Sequence, residues 1–319
     1  MIRSAALCAA ITMMAGSAAA ADWPTGPVKV VVPYAAGGAA DVMGRVFMDS
    51  VGTKLGVQFV IENQGGAGGL LGTRAVARAQ PDGMTLVISG MASHVLAPLM
   101  SKDPGVDPNR GFTHIGFFGG APSVLLAHPS TGVRNMADFF DAARKAKDGL
   151  EYLSPGFGTA GHIAAAYLAD KERIKLLHVP YKGGGAAIFD VVSGHVKFAS
   201  MNWSTAREHV ANGSLVPIAV TSSSRLAELK DVPTFRELGY PDLVMATWYA
   251  LSGPAGMPED IVSRLNEAVR QSLESPRVKR QLEIEAVEPR ALSPAETASF
   301  IQAQYDQWKP VTDSLKSKN

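Results

Sequence analysis

Apolar residues recur along this chain with two alternating spacings. Short continuous runs rich in valine and isoleucine are typical of buried strands. They alternate with segments in which apolar residues recur every three or four positions, as in helices. The predicted strands are 28–33, 59–61, 84–89, 123–127, 152–153, 175–179, 197–201 and 248–251. The predicted helices are 41–55, 68–79, 95–100, 136–147, 159–169, 186–193, 233–238, 258–275 and 293–309. This alternation predicts an α/β protein with parallel strands covered by helices.

The strand and helix alternation occurs in two successive segments, which predicts two lobes, each a sheet flanked by helices. We expect lobe one to contain 22–121 plus 223–319 and lobe two to contain 122–222. The chain would cross between the lobes at 120–123 and 217–222. The helices that follow would then return to pack on lobe one.

The first 21 residues have the features of a secretory signal peptide. Arg3 gives a positive start, the apolar run 5–14 is too short to span a bilayer, and the alanines at 19–21 form a small-residue cleavage site. A buried N-terminal helix is the alternative. We therefore expect export to the periplasm. The only cysteine, Cys8, lies in this segment, so the mature chain would have no disulfide, no thiolate nucleophile and no cysteine metal site.

The charge balance argues against a nucleic-acid partner. The chain has 30 basic and 29 acidic residues, and removal of 1–21 deletes only Arg3 from this count. The mature chain is then close to neutral, and its basic residues are interspersed with acids instead of forming the basic face typical of nucleic-acid binders. No other apolar run approaches the length of a membrane span, so we expect a soluble protein.

Three glycine-rich loops follow predicted strands: loop one (34–41), loop two (154–162) and loop three (180–185). Open α/β sheets bind ligands at the carboxyl ends of their strands, where such loops lie. Glycines permit positive φ angles, and the free N–H groups of the helix that follows attract anions. We expect loops one and two to hold a carboxylate through backbone N–H groups, those of loop two forming an anion nest. The alternative is that they are ordinary connectors.

Polar residues at three predicted helix starts suggest capping. Thr159 precedes the helix after loop two, and Ser293 precedes the last helix with Glu296 three residues further on, the spacing of a capping box. Asp41 lies in the first turn of the helix after loop one, where an acid complements the helix dipole. An alternative role for Asp41 is to face the ligand, where it would select a protonated group or orient water.

The sequence lacks the common catalytic and cofactor motifs. The glycines at 65–69 are followed by no lysine, and no dinucleotide fingerprint, G-x-S-x-G or H-E-x-x-H occurs. No two histidines have the spacing of a local metal site, and we expect His162 and His178 to be structural. We therefore expect a protein that is not an enzyme and that carries neither a metal nor a cofactor. A hydrolase built from distant residues is the remaining catalytic alternative.

Seven ordered motifs resemble the solute-binding proteins of tripartite tricarboxylate transporters. The motifs are 31–38 with Asp41, 62–69, 81–86, 156–159 with His162, 178–183, 231–234 and 253–256. The resemblance implies a two-lobe periplasmic binding protein of the Venus-flytrap type (type II). Such a protein is expected to act as a monomer that closes on a small organic carboxylate and delivers it to a membrane permease with one large and one small subunit. In that family the first two loops grip one carboxylate through backbone groups and ordered water; the corresponding residues here are 36–41 and 156–161.

Two departures from the family pattern bear on the ligand. Phe157 replaces an asparagine that is common between the two glycines of loop two, and Trp203 follows Asn202 in place of a small or aliphatic residue. Ala40 replaces a threonine of the family. With Tyr34, Tyr181 and Trp248, the added rings would suit a flat ligand, so our preferred ligand is an aromatic dicarboxylate such as terephthalate. The alternatives are that these rings pack between the lobes and that the ligand is an aliphatic di- or tricarboxylate.

The expected ligand-binding residues come from the three loops and from the strand end at 202. They are Tyr34, Ala36, Gly37, Gly38, Ala39, Ala40, Asp41, Ser154, Phe157, Gly158, Thr159, Ala160, Gly161, His162, Tyr181, Asn202 and Trp203. The sequence leaves one choice of partner open, because the same architecture could present its ligand to a membrane sensor kinase instead of a permease.

Overall fold

The computed structural model describes residues 23–287 and 289–316. The predicted signal peptide, 1–21, lies outside the described residues. Within them, no helix combines the length and the apolar character needed to cross a membrane.

The strands in the described part of the chain are β1 Val28–Val32, β2 Phe59–Asn63, β3 Thr85–Gly90, β4 Phe112–Ala127, β5 Leu150–Ser154, β6 Leu176–Pro180, β7 Phe198–Asn202, β8 Val216–Val220 and β9 Ala246–Pro254. The helices are α1 Ala39–Leu55, α2 Leu70–Ala77, α3 Ala97–Met100, α4 Met136–Lys145, α5 Ala160–Glu172, α6 Gly184–Val192, α7 Trp203–Ala211, α8 Glu259–Ser272, α9 Pro276–Ile284 and α10 Pro294–Lys316. A π-helical segment, Ala92–Leu96, leads directly into α3.

The strands pair in the order β2-β1-β3-β9-β4-β7-β5-β6, with β8 on the remaining edge of β4. β1, β2 and β3 are parallel to one another, as are β5, β6 and β7. The long strand β4 connects these two groups: from Phe112 to Pro122 it pairs with β9, and from Ser123 to Ala127 it pairs with β7 and β8. Each group of parallel strands therefore forms one lobe, and β4 passes between them. The exact division at 121, 122 and 222 stays a prediction.

Most predicted strands and helices are present, but the predicted helix 233–238 is wrong. These residues form turns, tied to β8 by backbone hydrogen bonds from Val220 to Pro233 and from Phe235 to Val220. The pattern also missed α7, β8, α9 and the first half of β4. Gly116, Gly119 and Pro122 make that half of β4 a poor strand by local propensity, and its pairing with the distant β9 overrides the propensity.

Helix α10 joins the two lobes through their apolar interior. Ile301, Trp308 and Leu315 of α10 belong to one buried cluster with Leu96 of lobe one and Ile163 of lobe two. Helix α10 also begins as predicted. The Ser293 N–H donates to Glu296 Oε2 at 2.8 Å and the Glu296 N–H donates to Ser293 Oγ at 3.2 Å, which confirms the capping box.

A chain of hydrogen bonds crosses the core of lobe one at His114. Its Nε2 lies 3.1 Å from the Pro108 carbonyl oxygen, which can only accept, so Nε2 carries the proton. Nδ1 therefore accepts from Ser252 Oγ at 2.9 Å, and Ser252 Oγ lies 2.8 Å from Ser89 Oγ. Burial lowers the pKa of His114 to about 4. It also lowers the pKa of the neighbouring His94 well below its usual value, with a smaller contribution from repulsion by His114.

We expect His114 to make the protein less stable as the pH falls below about 6.5. In the unfolded chain this histidine takes up a proton that the folded protein does not bind, so acid favours unfolding. The lowered pKa corresponds to a loss of about 2 kcal/mol between pH 7.5 and pH 5. Denaturant unfolding at both pH values should show that His114→Gln makes the acid-induced loss of stability smaller by about 2 kcal/mol. The rest of the loss remains, because His94, His162 and His178 are also buried with lowered pKa values. Equal pH dependence in the wild type and His114→Gln would contradict this assignment.

Candidate functional site

A narrow cavity lies between the lobes, at the carboxyl ends of the parallel strands. It has about 550 Å³ of empty space, including its open mouth. Loop one contributes Tyr34 and Gly38, and loop two contributes Pro155 and Thr159 to its wall. We call this cavity the cleft. Its position is where open α/β sheets bind ligands.

Four helices begin at the wall of the cleft. The lining includes Gly38, Ala39 and Ala40 at the start of α1; Thr159, Ala160 and Gly161 at the start of α5; Gly183 and Gly184 at the start of α6; and Asn202 and Thr205 at the start of α7. The first N–H groups of a helix have no partner within it, and the helix dipole makes this end positive. Among the residues that the structure describes, no lysine, arginine, aspartate or glutamate lines the cleft. The cleft is therefore suited to an anion although none of these described residues supplies a basic side chain to it.

Asp41 does not line the cleft. Its carboxylate lies behind loop one and fixes the conformation of the loop through hydrogen bonds. Its Oδ2 accepts the Gly37 N–H at 2.9 Å, and its Oδ1 accepts Arg45 Nε and Asn63 Nδ2, each at 2.9 Å. Asn63 Nδ2 also donates to the Tyr34 carbonyl oxygen at 3.1 Å. Burial alone would raise the pKa of Asp41, but the hydrogen bonds from Arg45, Gly37 and Asn63 outweigh burial and lower it. The carboxylate is therefore charged, and both of its oxygens accept hydrogen bonds that hold loop one.

The N–H groups of loop two that were expected to form an anion nest are already bonded within the loop. The Gly156 N–H donates to Ser154 Oγ at 3.1 Å, and the Gly158 N–H donates to His162 Nδ1 at 3.1 Å. Thr159 caps α5 as predicted, since its hydroxyl accepts the His162 N–H. Loop two thus reaches the cleft through the start of α5, and Ser154, Gly158 and His162 support it from outside the lining.

Two stacked imidazoles hold loop two on its outer side. The rings of His162 and His178 lie 4.2 Å apart at an angle of 20°. Ser154 Oγ, which accepts from Gly156, lies 2.7 Å from His178 Nε2. Burial lowers the pKa of His162 to about 3, with repulsion by His178 as a smaller cause, and lowers the pKa of His178 to about 4. Both rings are neutral at physiological pH, as the acceptor role of His162 requires.

A polar cluster that the sequence analysis largely missed forms one end of the cleft. Asn202 Nδ2 donates to the Tyr249 hydroxyl at 2.9 Å, and Thr247 Oγ1 donates to Asn202 Oδ1 at 3.1 Å. Burial is the main cause that raises the pKa of Tyr249, so its hydroxyl keeps its proton and can donate. The pattern predicted a strand at 248–251, but only the pairing of β9 between β3 and β4 turns Thr247 and Tyr249 to the cleft.

The rings that suggested an aromatic ligand do not line the cleft, with the exception of Tyr34. Phe157 is 43% exposed, and its ring lies against the ring of His162. Gly156 and Gly158 on either side of it have positive φ angles, and this backbone conformation directs the Phe157 side chain away from the cleft. Trp203 is buried in the core of lobe two, and Trp248 packs against Phe300. The Tyr181 hydroxyl donates to Asp190. These are corrections to the sequence analysis, and the second lining ring is Tyr249.

Of the expected ligand-binding residues, the structure brings eight together in the lining of the cleft: Tyr34, Gly38, Ala39, Ala40, Thr159, Ala160, Gly161 and Asn202. Ala36 and Gly37 of loop one are exposed and do not line the cleft. The lining residues that the sequence analysis did not include are Gly90, Met91, Ala92, Pro155, Gly183, Gly184, Thr205, Thr247 and Tyr249. Within 23–287 and 289–316, no group of three or more histidine, cysteine, aspartate or glutamate side chains could hold a metal ion.

The sequence matches a known family over most of its length. The profile described as the tripartite tricarboxylate transporter family receptor matches residues 43–316. Among curated proteins, BugT of Bordetella pertussis is 30% identical over 308 residues, which cover 96% of this chain and 94% of BugT.

Solved structures of similar sequence share the fold. The periplasmic binding protein BugD is 30% identical with a TM-score of 0.86, and the match covers 92% of this chain and 98% of BugD. MatC from Rhodopseudomonas palustris, solved with malate, is 29% identical with a TM-score of 0.86 and coverage of 91% and 100%. An R. palustris structure with adipate is also 29% identical with a TM-score of 0.86, and coverage is 92% and 98%.

These likenesses confirm the predicted two-lobe α/β fold of a periplasmic binding protein, and the proteins that share it are solute-binding proteins. The matched profile, the sequence of BugT and the arrangement of helix starts around the cleft all support the same family assignment. The chain belongs to the tripartite tricarboxylate transporter receptor family.

Proposed function

We propose that this protein binds a small dicarboxylate in the cleft and delivers it to a membrane permease. The main support for the proposal is that four helices begin at one cavity, and that none of the described residues lining it has a charged side chain. Each helix start acts as roughly half a positive charge. Together they offset about two negative charges, which matches a dicarboxylate better than a monocarboxylate.

The ligand would contact both lobes at once. Helix α1 belongs to the parallel strands of lobe one, whereas α5, α6 and α7 follow strands of lobe two. A ligand can favour the closed arrangement only through contacts that the open arrangement lacks. One carboxylate held between the starts of α1 and α5 would supply such contacts, and the cluster of Asn202, Thr247 and Tyr249 would bind the other end of the molecule.

An aliphatic dicarboxylate is the ligand class that the lining favours. Within the described part of the chain, Tyr34 and Tyr249 are the two aromatic residues that line the cleft, and Phe157 and Trp203 point elsewhere. Relatives with the same fold were solved with malate and with adipate. An aromatic dicarboxylate such as terephthalate is the second candidate, because a flat ring could still lie against Tyr34 and Tyr249.

The proposed partner is a permease with one large and one small membrane subunit. The description of the matched family as a transporter receptor supports this choice. We further propose that residues 1–21 are removed on export to the periplasm and that the protein acts as a monomer without a cofactor. A membrane sensor kinase is the second candidate partner.

A panel of carboxylates should stabilise the protein selectively. Ligand at about 100 times its dissociation constant adds about 2.7 kcal/mol to the free energy of unfolding. In a thermal-shift assay on ligand-free protein, we expect malate, succinate or adipate to raise the melting temperature more than acetate does. A shift with terephthalate alone would favour the aromatic candidate. No shift with any carboxylate, repeated by calorimetry, would contradict the proposed ligand class.

A negative charge at the start of α1 should weaken anion binding without unfolding the protein. Ala39 is a partly exposed lining residue in the first turn of α1, where an acid is favourable to the helix itself. We expect Ala39→Asp to bind the dicarboxylate at least about tenfold more weakly than the isosteric Ala39→Asn, because the added carboxylate repels the ligand. Titration calorimetry measures both variants, and equal affinities would show that α1 does not contact the anion.

Uptake by cells should identify the partner. We expect cells that lack this protein to lose uptake of the labelled dicarboxylate, and the wild-type gene, unlike the Ala39→Asp gene, to restore it. Normal uptake combined with a lost transcriptional response to the dicarboxylate would favour the sensor kinase instead.

A further inference from the structure

Loops one and three touch across the mouth of the cleft almost entirely through backbone atoms. The Ala35 N–H of loop one donates to the Lys182 carbonyl oxygen of loop three at 3.1 Å. A Cβ atom placed on Gly183 would lie 3.5 Å from Ala35 Cβ, and one placed on Gly38 would lie 3.9 Å from the Gly184 nitrogen. Cβ atoms at these two positions would make ordinary van der Waals contacts, so the two lobes meet closely at this point.

Gly185 lies at the tightest part of this contact. A Cβ atom on Gly185 would lie 3.2 Å from both the carbonyl carbon and the oxygen of Gly37, and 3.4 Å from the nitrogen of Gly38. All three atoms belong to the backbone of the opposite lobe, so they cannot move aside by changing a rotamer. To relieve the contact, either loop one, which Asp41 holds at the Gly37 N–H, or the whole lobe must shift by a few tenths of an ångström.

The conformation of Gly185 does not itself require glycine. The residue lies in the first turn of α6, and it is absent from the glycines with positive φ in the described part of the chain. Within a helix, alanine is more favourable than glycine. The local helix would therefore accept a side chain that the contact with the opposite lobe excludes.

Neighbouring glycines differ from Gly185 in this respect. A Cβ atom on Gly184 would contact Thr205 in its own lobe, and one on Gly161 would collide with the Ser200 carbonyl oxygen, also in its own lobe. Gly158 approaches Ala97 of lobe one, but it has a φ of +70°, so a substitution there strains the backbone as well. At Gly185, in contrast, only the contact with the opposite lobe excludes a side chain. A substitution there therefore tests lobe closure without straining the fold of its own lobe.

We propose that Gly185 is a positioning residue that sets how far the lobes close. Its missing side chain lets loop three seal against Gly37 and Gly38, and the seal brings the start of α6 to the cleft. Gly185 does not line the cleft, so it would act on the ligand only through the position of lobe two. The expected effect of Gly185 on ligand affinity rests on the proposed function, whereas its expected effect on the distance between the lobes does not.

The test is a graded series, Gly185→Ala and Gly185→Val, with the exposed Ala186→Ser as a control that adds one atom to the same helix. Spin labels on Lys54→Cys and Ser193→Cys, both at exposed positions, report the distance between the lobes. Replacing Cys8, the only cysteine, by serine keeps the labelling specific. Adipate and malate serve as probe ligands, and each variant is measured with and without them.

We expect Gly185→Ala to bind about tenfold more weakly than the wild type and Gly185→Val more weakly still, chiefly through faster dissociation. At saturating ligand, the distance between the labels should stay longer than in the wild type and in Ala186→Ser. The melting temperature of the ligand-free Gly185→Ala protein should not fall, since alanine suits the helix.

Wild-type affinity and a wild-type distance in Gly185→Ala would overturn the proposal. A lower melting temperature of ligand-free Gly185→Ala with an unchanged lobe distance would also overturn it, because Gly185 would then serve folding. If the wild type binds neither probe, the proposed ligand class fails. The label distances in ligand-free protein still decide the closure role, since a larger closed population in the wild type than in Gly185→Ala supports it and equal populations refute it.

Discussion

The meeting of four helix N-termini at one cavity depends on the whole fold. The starts of α1, α5, α6 and α7 meet at one cavity only because the strands that precede them end at the same place in each lobe. β4 passes from one lobe to the other, and α10 packs against both. Because backbone N–H groups cannot extend towards a ligand as lysine side chains do, the helices themselves must be held in position.

Side chains near the cleft mainly fix the backbone. Asp41 holds Gly37 and, through Asn63, the carbonyl group of Tyr34. His162 performs the same task for Gly158 in loop two. Both side chains lie behind the lining, and the charge state of each suits its partner: a carboxylate accepts three donors, and a neutral imidazole accepts one. Asp41 and His162, which the sequence analysis included among the expected ligand-binding residues, therefore support the site from outside its lining.

Much of the fold could be predicted from the sequence because β1, α1 and the loops between strands and helices are local patterns. Gly38, Ala39 and Thr159 lie at the cleft, as expected from their positions in loops one and two. The directions of Phe157 and Trp203 could not be predicted, because they depend on the glycines beside Phe157 and on the core that receives Trp203. Thr247 and Tyr249 reach the cleft only through pairing between strands that are distant in the sequence.

The uncharged lining of the cleft has a consequence for how such a protein can change over evolution. Every residue carries a backbone N–H except proline, so most single substitutions at the helix starts keep the donors that we propose hold a carboxylate. The polar cluster of Asn202, Thr247 and Tyr249 depends instead on side chains, each of which one mutation can replace. Under the proposed function, descendants of this sequence could therefore exchange one dicarboxylate for another while retaining affinity for the shared carboxylate group.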